Sequence, residues 1–181
     1  MIAKDLLQFK KVERSKEWFW DETLSRTVQQ IQGICKQLQP LQLPGNGRMI
    51  VYSDASLEAW GGILCEEAED PSQPPYICRY ASGRFTDAAT RYHSIHQEIL
   101  AAKNCILSFR LFLIGKTFVL RSDLNNFAKF LDTRHIEKIG NYRLIRWSYW
   151  FSHFDIIFEH VPGQHNNIAD MLSRLYSSHV T

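Results

Sequence analysis

Residues 49–64, MIVYSDASLEAWGGIL, read as a core strand that ends on a charge. Met49, Ile50, Val51 and Tyr52 suit a buried strand, and Asp54 stands at its end. Small residues and two glycines, Gly61 and Gly62, follow before the apolar run resumes at Ile63. Removing a carboxylate from water costs several kcal/mol unless a partner offsets it. The stretch therefore predicts both a central strand and a partner for Asp54.

Working outward, strands are expected near 48–54, 59–66 and 75–81, with the polar loop EEAEDPSQPP between the last two. A long helix is expected over 88–112, with Ile95, Ile99, Ala102, Ile106 and Phe109 on one apolar stripe. KTFVLRSD is a fourth strand ending at Asp123, NNFAKFL a short helix and NYRLIRWSYWF another. FDIIFEHV alternates as a fifth strand, PG turns the chain at 162–163, and NNIADMLSRL closes with a helix capped at Asn166 or Asn167. The class is α/β, in the order β-β-β-α-β-α-(α)-β-α.

Upstream, residues 1–47 read as a separate helical unit. Asp21 is a candidate N-cap, and Leu24, Val28, Ile31, Cys35 and Leu38 recur at spacings of 4, 3, 4 and 3. PLQLPGNG (40–47) is the expected boundary, so the second domain is expected to span 48–181. The opening Met runs straight into mid-domain-like sequence, as expected of a segment cut from a longer chain.

Composition narrows the function classes. The 181 residues are 45% hydrophobic and 13% aromatic, which suits an ordered core. A net charge of +2 points to no partner by itself. Cys35, Cys65, Cys78 and Cys105 form no C-x-x-C pair, which argues against a zinc ribbon or disulfide framework and fits a reducing compartment. No apolar stretch approaches the ~20 residues of a membrane span, so no membrane partner is expected.

The acids form a pattern. If the first and fourth strands are neighbours, Asp54 and Asp123 end side by side. Glu98 sits beside Ile99 at the margin of the long helix's buried stripe. Asp170 falls in the first turn of the last helix, where the helix dipole favours a carboxylate. Clustered carboxylates raise one another's pKa unless a cation sits among them. A hard oxygen site of this kind suits Mg²⁺. Zinc is not expected: His93 and His96 stand i, i+3, but H-E-x-x-H is absent.

YSDASLEAWGGIL, YASGRFTDAATRYHSIHQEILAAKNCI, LRSDLNNF and IRWSYWFSHFDIIFEHVPGQHNNIADMLSRL occur in order over about residues 48–176. Together they resemble the ribonuclease H domain of a reverse transcriptase, of the Ty3-like and plant pararetroviral (caulimovirus and badnavirus) branch. W-G-G-I-L leans towards the plant viruses. The resemblance implies a ribonuclease H-like fold, a five-stranded mixed sheet flanked by helices, with residues 1–47 as the tail of the preceding polymerase connection region. It implies endonucleolytic hydrolysis of the RNA strand of an RNA/DNA hybrid during viral reverse transcription. Asp54, Glu98, Asp123 and Asp170 would hold two Mg²⁺ ions about 3.5–4 Å apart, with Mn²⁺ as a substitute. The products would carry a 5′-phosphate and a 3′-hydroxyl, and the 2′-hydroxyls would mark the strand to be cut.

The same resemblance implies a loop histidine before the last aspartate. His165 is the nearest candidate, while His160 shares parity with Phe154, Ile156 and Phe158 and reads as a partly buried histidine. For the nucleic acid, Ser94 and His96 are expected near the substrate backbone. Asn125 and Asn126 are candidates for the DNA strand, and Arg143 and Arg146 for phosphates. Between Lys129 and Trp150, five Lys/Arg stand against Asp132 and Glu137, a local +3, with the tryptophans read as core. The partners implied are the hybrid and the polymerase domain of the same polyprotein, in host cytoplasm or virion. Two rival functions share the fold. One is a degenerate connection module that binds nucleic acid without cleaving, which usually loses carboxylates. The other is an integrase-like strand transferase, in which the glutamate comes last rather than second.

Overall fold

The computed structural model describes residues 20–37, 40–132 and 141–175. The chain divides into two compact units, Met1–Pro40 and Leu41–Thr181. In the first, helix α1 (Glu22–Gln37) starts where Asp21 Oδ1 accepts the Leu24 N–H at 2.7 Å, as expected of an N-cap. Leu24 and Thr27 are buried, with Val28, Ile31 and Ile34 half-buried on the same side. Cys35, expected in this stripe, is exposed, because the stripe steps by three from Ile31 to Ile34. Leu38 lies outside the described residues.

The second unit runs β1 (Met49–Ala55), β2 (Ala59–Glu66), β3 (Tyr76–Arg84), α2 (Ser94–Leu113), β4 (Phe118–Ser122), α3 (Phe127–Leu131), α4 (Tyr142–Phe151), β5 (Ile156–His160) and α5 (Asn167–Ser173). The five strands form one mixed sheet in the order β3-β2-β1-β4-β5. β1 pairs antiparallel with β2 and parallel with β4, and β4 pairs parallel with β5. β1 is central and covered on both faces, which accounts for its unbroken apolar run.

The two faces differ in depth. On one, Met49, Val51, Leu64, Phe118 and Leu120 pack with Ile99, Ala102, Ile106 and Phe109 of α2 and with the buried side of α3 and α4. On the other, Ile50, Ile63, Cys65 and Val119 meet Ile168 and Leu172 of α5. The two glycines serve one face each. A Cβ on Gly61 would stand 2.4 Å from the Ser173 nitrogen in α5, and one on Gly62 would stand 2.4 Å from Cys105 Sγ in α2. Both helices come this close only because the strand has no side chain there.

Two expected boundaries move. The long helix begins at Ser94 rather than 88, because Ala89–Arg91 forms a separate 3₁₀ turn. The His93 ring then accepts the Ile95 N–H at the start of α2. Residues 41–47, expected with the first unit, group with the sheet. Gln42 N donates to the Ile77 carbonyl at 3.2 Å, and the Gly45 and Gly47 amides donate to the Glu66 carboxylate. Pro and Gly mark a loop, but its hydrogen-bond acceptors decide which unit holds it. No helix among the described residues is long and apolar enough to cross a membrane.

Candidate metal centre

The register carries Asp54 and Asp123 to one edge. Tyr52 pairs with Arg121 across the parallel β1–β4 ladder, and the acids lie two residues further on, Asp54 within β1 and Asp123 just past the end of β4. Glu98 reaches the same edge from the second turn of α2. Oxygens of Asp54, Glu98 and Asp123 all lie within 4.8 Å of one another. Asp54 is buried, Glu98 half-buried and Asp123 exposed, so the group opens to solvent on the Asp123 side.

Its electrostatics are unbalanced. Burial first, then the charges of Asp123 and Asp54, push the Glu98 carboxyl up to about 9. Burial pushes Asp54 up to about 6, against the Ser173 hydrogen bond, which favours the ionised form; Asp123 and Asp170 add to the rise. Glu98 Oε2 is buried and has no hydrogen-bond partner. A buried, unpaired carboxylate oxygen facing two more acids is the donor set of a hard divalent cation, and the three residues fit Mg²⁺.

Asp170 stands outside the group of three. It lies in the first turn of α5, half-buried, and its carboxylate accepts from Arg174 Nε at 2.7 Å. Its charge still raises both Asp54 and Glu98.

None of the other expected residues belongs to the group of three. His165 is exposed in the 3₁₀ turn Gly163–His165, where it lines a groove with Tyr52, Cys65, Pro75 and Asn166. Of that loop, Gly163 comes near Asp123: a Cβ there would stand 3.7 Å from its Oδ2. His160 is exposed, which corrects the expectation of a partly buried histidine. It is the last residue of edge strand β5, beyond the cover that holds Phe158.

Ser94 is exposed at the first turn of α2. His96 is half-buried, edge-on to Trp147 at 6.3 Å, and burial, then the charges of Arg143 and His93, lower its pKa. The Arg143 guanidinium lies 3.6 Å over the Tyr92 ring. His96 and Arg143 thus meet on one α2–α4 surface, with Arg146 exposed one turn on and Ser94 exposed at the start of α2. Asn125 and Asn126 are exposed directly after Asp123, Asn126 with a left-handed φ of 58°. Trp147 and Trp150 pack against the core as expected. Arg134 and Lys138 lie outside the described residues.

Sequence reasoning assigned no part to Ser173, Arg174 or Ser56, and to Asn166 only that of a helix cap, which its side chain does not make. Ser173 Oγ donates to Asp54 Oδ2 at 2.7 Å, and buried Asn166 Nδ2 donates to the Ser53 carbonyl at 2.9 Å. The available signal was A-D-x-L-S-R itself, in which Ser173 and Arg174 follow Asp170 at fixed steps.

Comparison with known proteins agrees with this fold. Residues 46–154 match the family described as "RNase H-like domain found in reverse transcriptase". The enzymatic polyprotein of Carnation etched ring virus is 37% identical over 163 residues, covering 90% of this chain and 24% of that protein. The genome polyprotein of Petunia vein clearing virus (isolate Shepherd) is 35% identical over 155 residues, covering 86% of this chain and 7% of that protein. The chain thus spans about a quarter or less of these polyproteins. Among solved structures, a foamy viral protease–reverse transcriptase in complex with RNA/DNA hybrid superposes with a TM-score of 0.56 at 18% identity, covering 88% of this chain and 21% of that one. RNase H1 from the archaeon Halobacterium salinarum superposes with a TM-score of 0.50 at 22% identity, covering 70% of this chain and 94% of that one. These structural likenesses establish the fold.

Proposed function

The chain belongs to the RNase H-like domains found in reverse transcriptase, and on that premise we propose that it cleaves the RNA strand of RNA/DNA hybrids endonucleolytically, as part of a viral polyprotein. The observation that carries this is the convergence of Asp54, Glu98 and Asp123 within 4.8 Å, with one Glu98 oxygen buried and unpaired. Such a cluster is costly for the fold alone and useful once divalent cations are bound.

Asp54, Glu98 and Asp123 would hold Mg²⁺, or Mn²⁺ in its place, with Asp170 completing the set from α5. Two bound ions would activate the attacking water and stabilise the leaving 3′ oxygen. The chain's own part is to fix the acids on rigid elements, so that little reorganisation accompanies the reaction. Asp54 is held by the β1–β2 ladder, opposite Gly61, and Glu98 by a helix whose inner face is buried from Gln97 to Leu113. Asp123, exposed and beside Gly163, lies where a phosphate would enter. His165, from the same loop, would assist proton movement or product release.

The α2–α4 surface of Ser94, His96, Arg143 and Arg146 would take the hybrid's backbone, and Asn125 and Asn126 the DNA strand beside Asp123. The first unit would be the tail of the polymerase connection, and the polymerase domain the partner in the same polyprotein, acting in host cytoplasm or virion. A labelled hybrid incubated with Mg²⁺, with Mn²⁺ and with EDTA tests the proposal. Internal RNA cuts bearing 5′-phosphates, dependent on metal, are expected. Hybrid binding without cleavage under every condition would instead assign the chain to the non-cleaving class.

A further inference from the structure

The last turn of α5 is fixed to the sheet by its backbone before its side chain is considered. The Ser173 carbonyl accepts from Ser56 Oγ at 2.6 Å, at the turn between β1 and β2. The Ser173 nitrogen lies directly over Gly61, where a Cβ would come within 2.4 Å. Ser173 is 0% exposed, so no water competes for its hydroxyl. From this backbone, Oγ stands 2.7 Å from Asp54 Oδ2 and 2.8 Å from the Asp170 carbonyl. A hydroxyl has one proton to donate, and the carboxylate is the stronger acceptor. The next residue does the same for the neighbouring acid: Arg174 holds the Asp170 carboxylate. Consecutive side chains therefore hold two acids that come from two different elements.

We propose that Ser173 is a positioning residue for the cation site. Its hydroxyl orients the Asp54 carboxylate by occupying one oxygen, and it ties that carboxylate to the helix that carries Asp170. The inference rests on the metal-dependent reading above. It differs from a packing role because the Ser56 hydrogen bond and the Gly61 contact both use the Ser173 backbone. Removing the hydroxyl leaves both backbone contacts of the helix in place and deprives Asp54 of its donor.

The test uses the full chain with Ser173→Ala, Ser173→Cys and Ser56→Ala, reading Mn²⁺ binding by calorimetry and thermal unfolding in EDTA. Partners behind metal ligands commonly change affinity 10–100-fold when removed. Ser173→Ala should bind Mn²⁺ roughly tenfold more weakly while still unfolding cooperatively. Ser173→Cys should shift binding the same way, since a thiol is a weak donor of similar shape. Ser56→Ala should lower the melting temperature and move the Mn²⁺ midpoint less than Ser173→Ala does. Wild-type Mn²⁺ affinity in Ser173→Ala, or in Ser173→Cys if the alanine variant does not fold, overturns the proposal. A wild-type chain that neither binds Mn²⁺ nor cleaves hybrid overturns the functional reading as well. Unchanged binding in a variant of a chain that does both removes only Ser173's part.

Discussion

The two faces of the sheet are held by different physics. The α2 face buries Phe109, Phe118, Ile99 and Ile106 almost completely, a contiguous apolar core. The α5 face clusters Ile50, Ile63, Cys65 and Val119 under a helix of only seven residues. Polar contacts secure it: Asn166 to the Ser53 carbonyl, Ser173 to Asp54, and Ser56 to the Ser173 carbonyl. The face that supplies Glu98 is therefore stable without regard to the site, whereas the face that supplies Asp170 is held partly by the site itself. Metal binding and the docking of α5 should be coupled, while metal binding and the large core should not.

The largest effect that sharpens this contrast comes from the acids. Asp54→Asn or Asp123→Asn should abolish hybrid cleavage while leaving the fold intact. In EDTA, Asp54→Asn should melt higher than wild type, because it removes a buried like charge. A gain on the order of 1 kcal/mol would raise the melting temperature by roughly 2–4 °C at this chain length. Wild-type turnover in either variant removes that residue from the site. Burial, with the same repulsion added to it, fixes a pH dependence. Both Asp54 and Glu98 have folded pKa values above their ordinary ones, so the protonated form is favoured on folding. Their stabilising contribution is whole below about pH 4. It is then lost as pH rises through about 6 for Asp54 and about 9 for Glu98. Thermal unfolding in EDTA should therefore show declining stability across that window. Excess Mg²⁺ should flatten the decline, and Glu98→Gln should remove its upper part.

Phe109→Ala tests the other side of the comparison. Phe109 is 1% exposed, and deleting such a ring costs about 3–5 kcal/mol. Denaturant unfolding should show that loss, while cleavage per folded molecule stays near wild type. Asn166→Ala should behave the opposite way at smaller scale. Losing its bond to the Ser53 carbonyl should cost about 1–2 kcal/mol and reduce cleavage more than that cost explains, because α5 carries Asp170. Equal damage to cleavage from both variants, per folded molecule, would break the distinction between the faces.

The α2 face was the more legible in the sequence. A 20-residue helix with Ile99, Ala102, Ile106 and Phe109 at helical spacing announces what it buries. Apolar strands ending on Asp54 and Asp123 announce an acidic edge. Glu98 was legible because it borders that stripe. The α5 face was not, since a seven-residue helix shows barely two turns of periodicity, and a buried serine hydroxyl leaves no hydrophobic trace. That residues 41–47 group with the sheet was hidden for a related reason: their acceptors, on Glu66 and Ile77, lie far along the chain. His160 misled through parity. The period-2 rule gives the side of a strand, but not where the cover over that side stops.

That last point leads to the smallest effects, at the two histidines flanking the 162–163 turn. His165 lies on the loop whose Gly163 approaches Asp123, so its ring can come near a bound phosphate without being one of the clustered ligands. General acid–base help is typically worth ~10²–10⁴-fold, and an exposed histidine outside the group of acids should supply the lower end or less. His165→Ala should slow cleavage without abolishing it, leaving Mn²⁺ affinity and melting temperature at wild-type values. His160, exposed at the end of an edge strand, has no cavity to open when truncated. Surface changes of this kind usually stay within about 0.5 kcal/mol, so His160→Ala should change neither melting temperature nor turnover. Measured side by side, a melting loss in His160→Ala would show that its ring is covered in solution. A turnover loss in His160→Ala with none in His165→Ala would move the loop histidine's role to the end of β5.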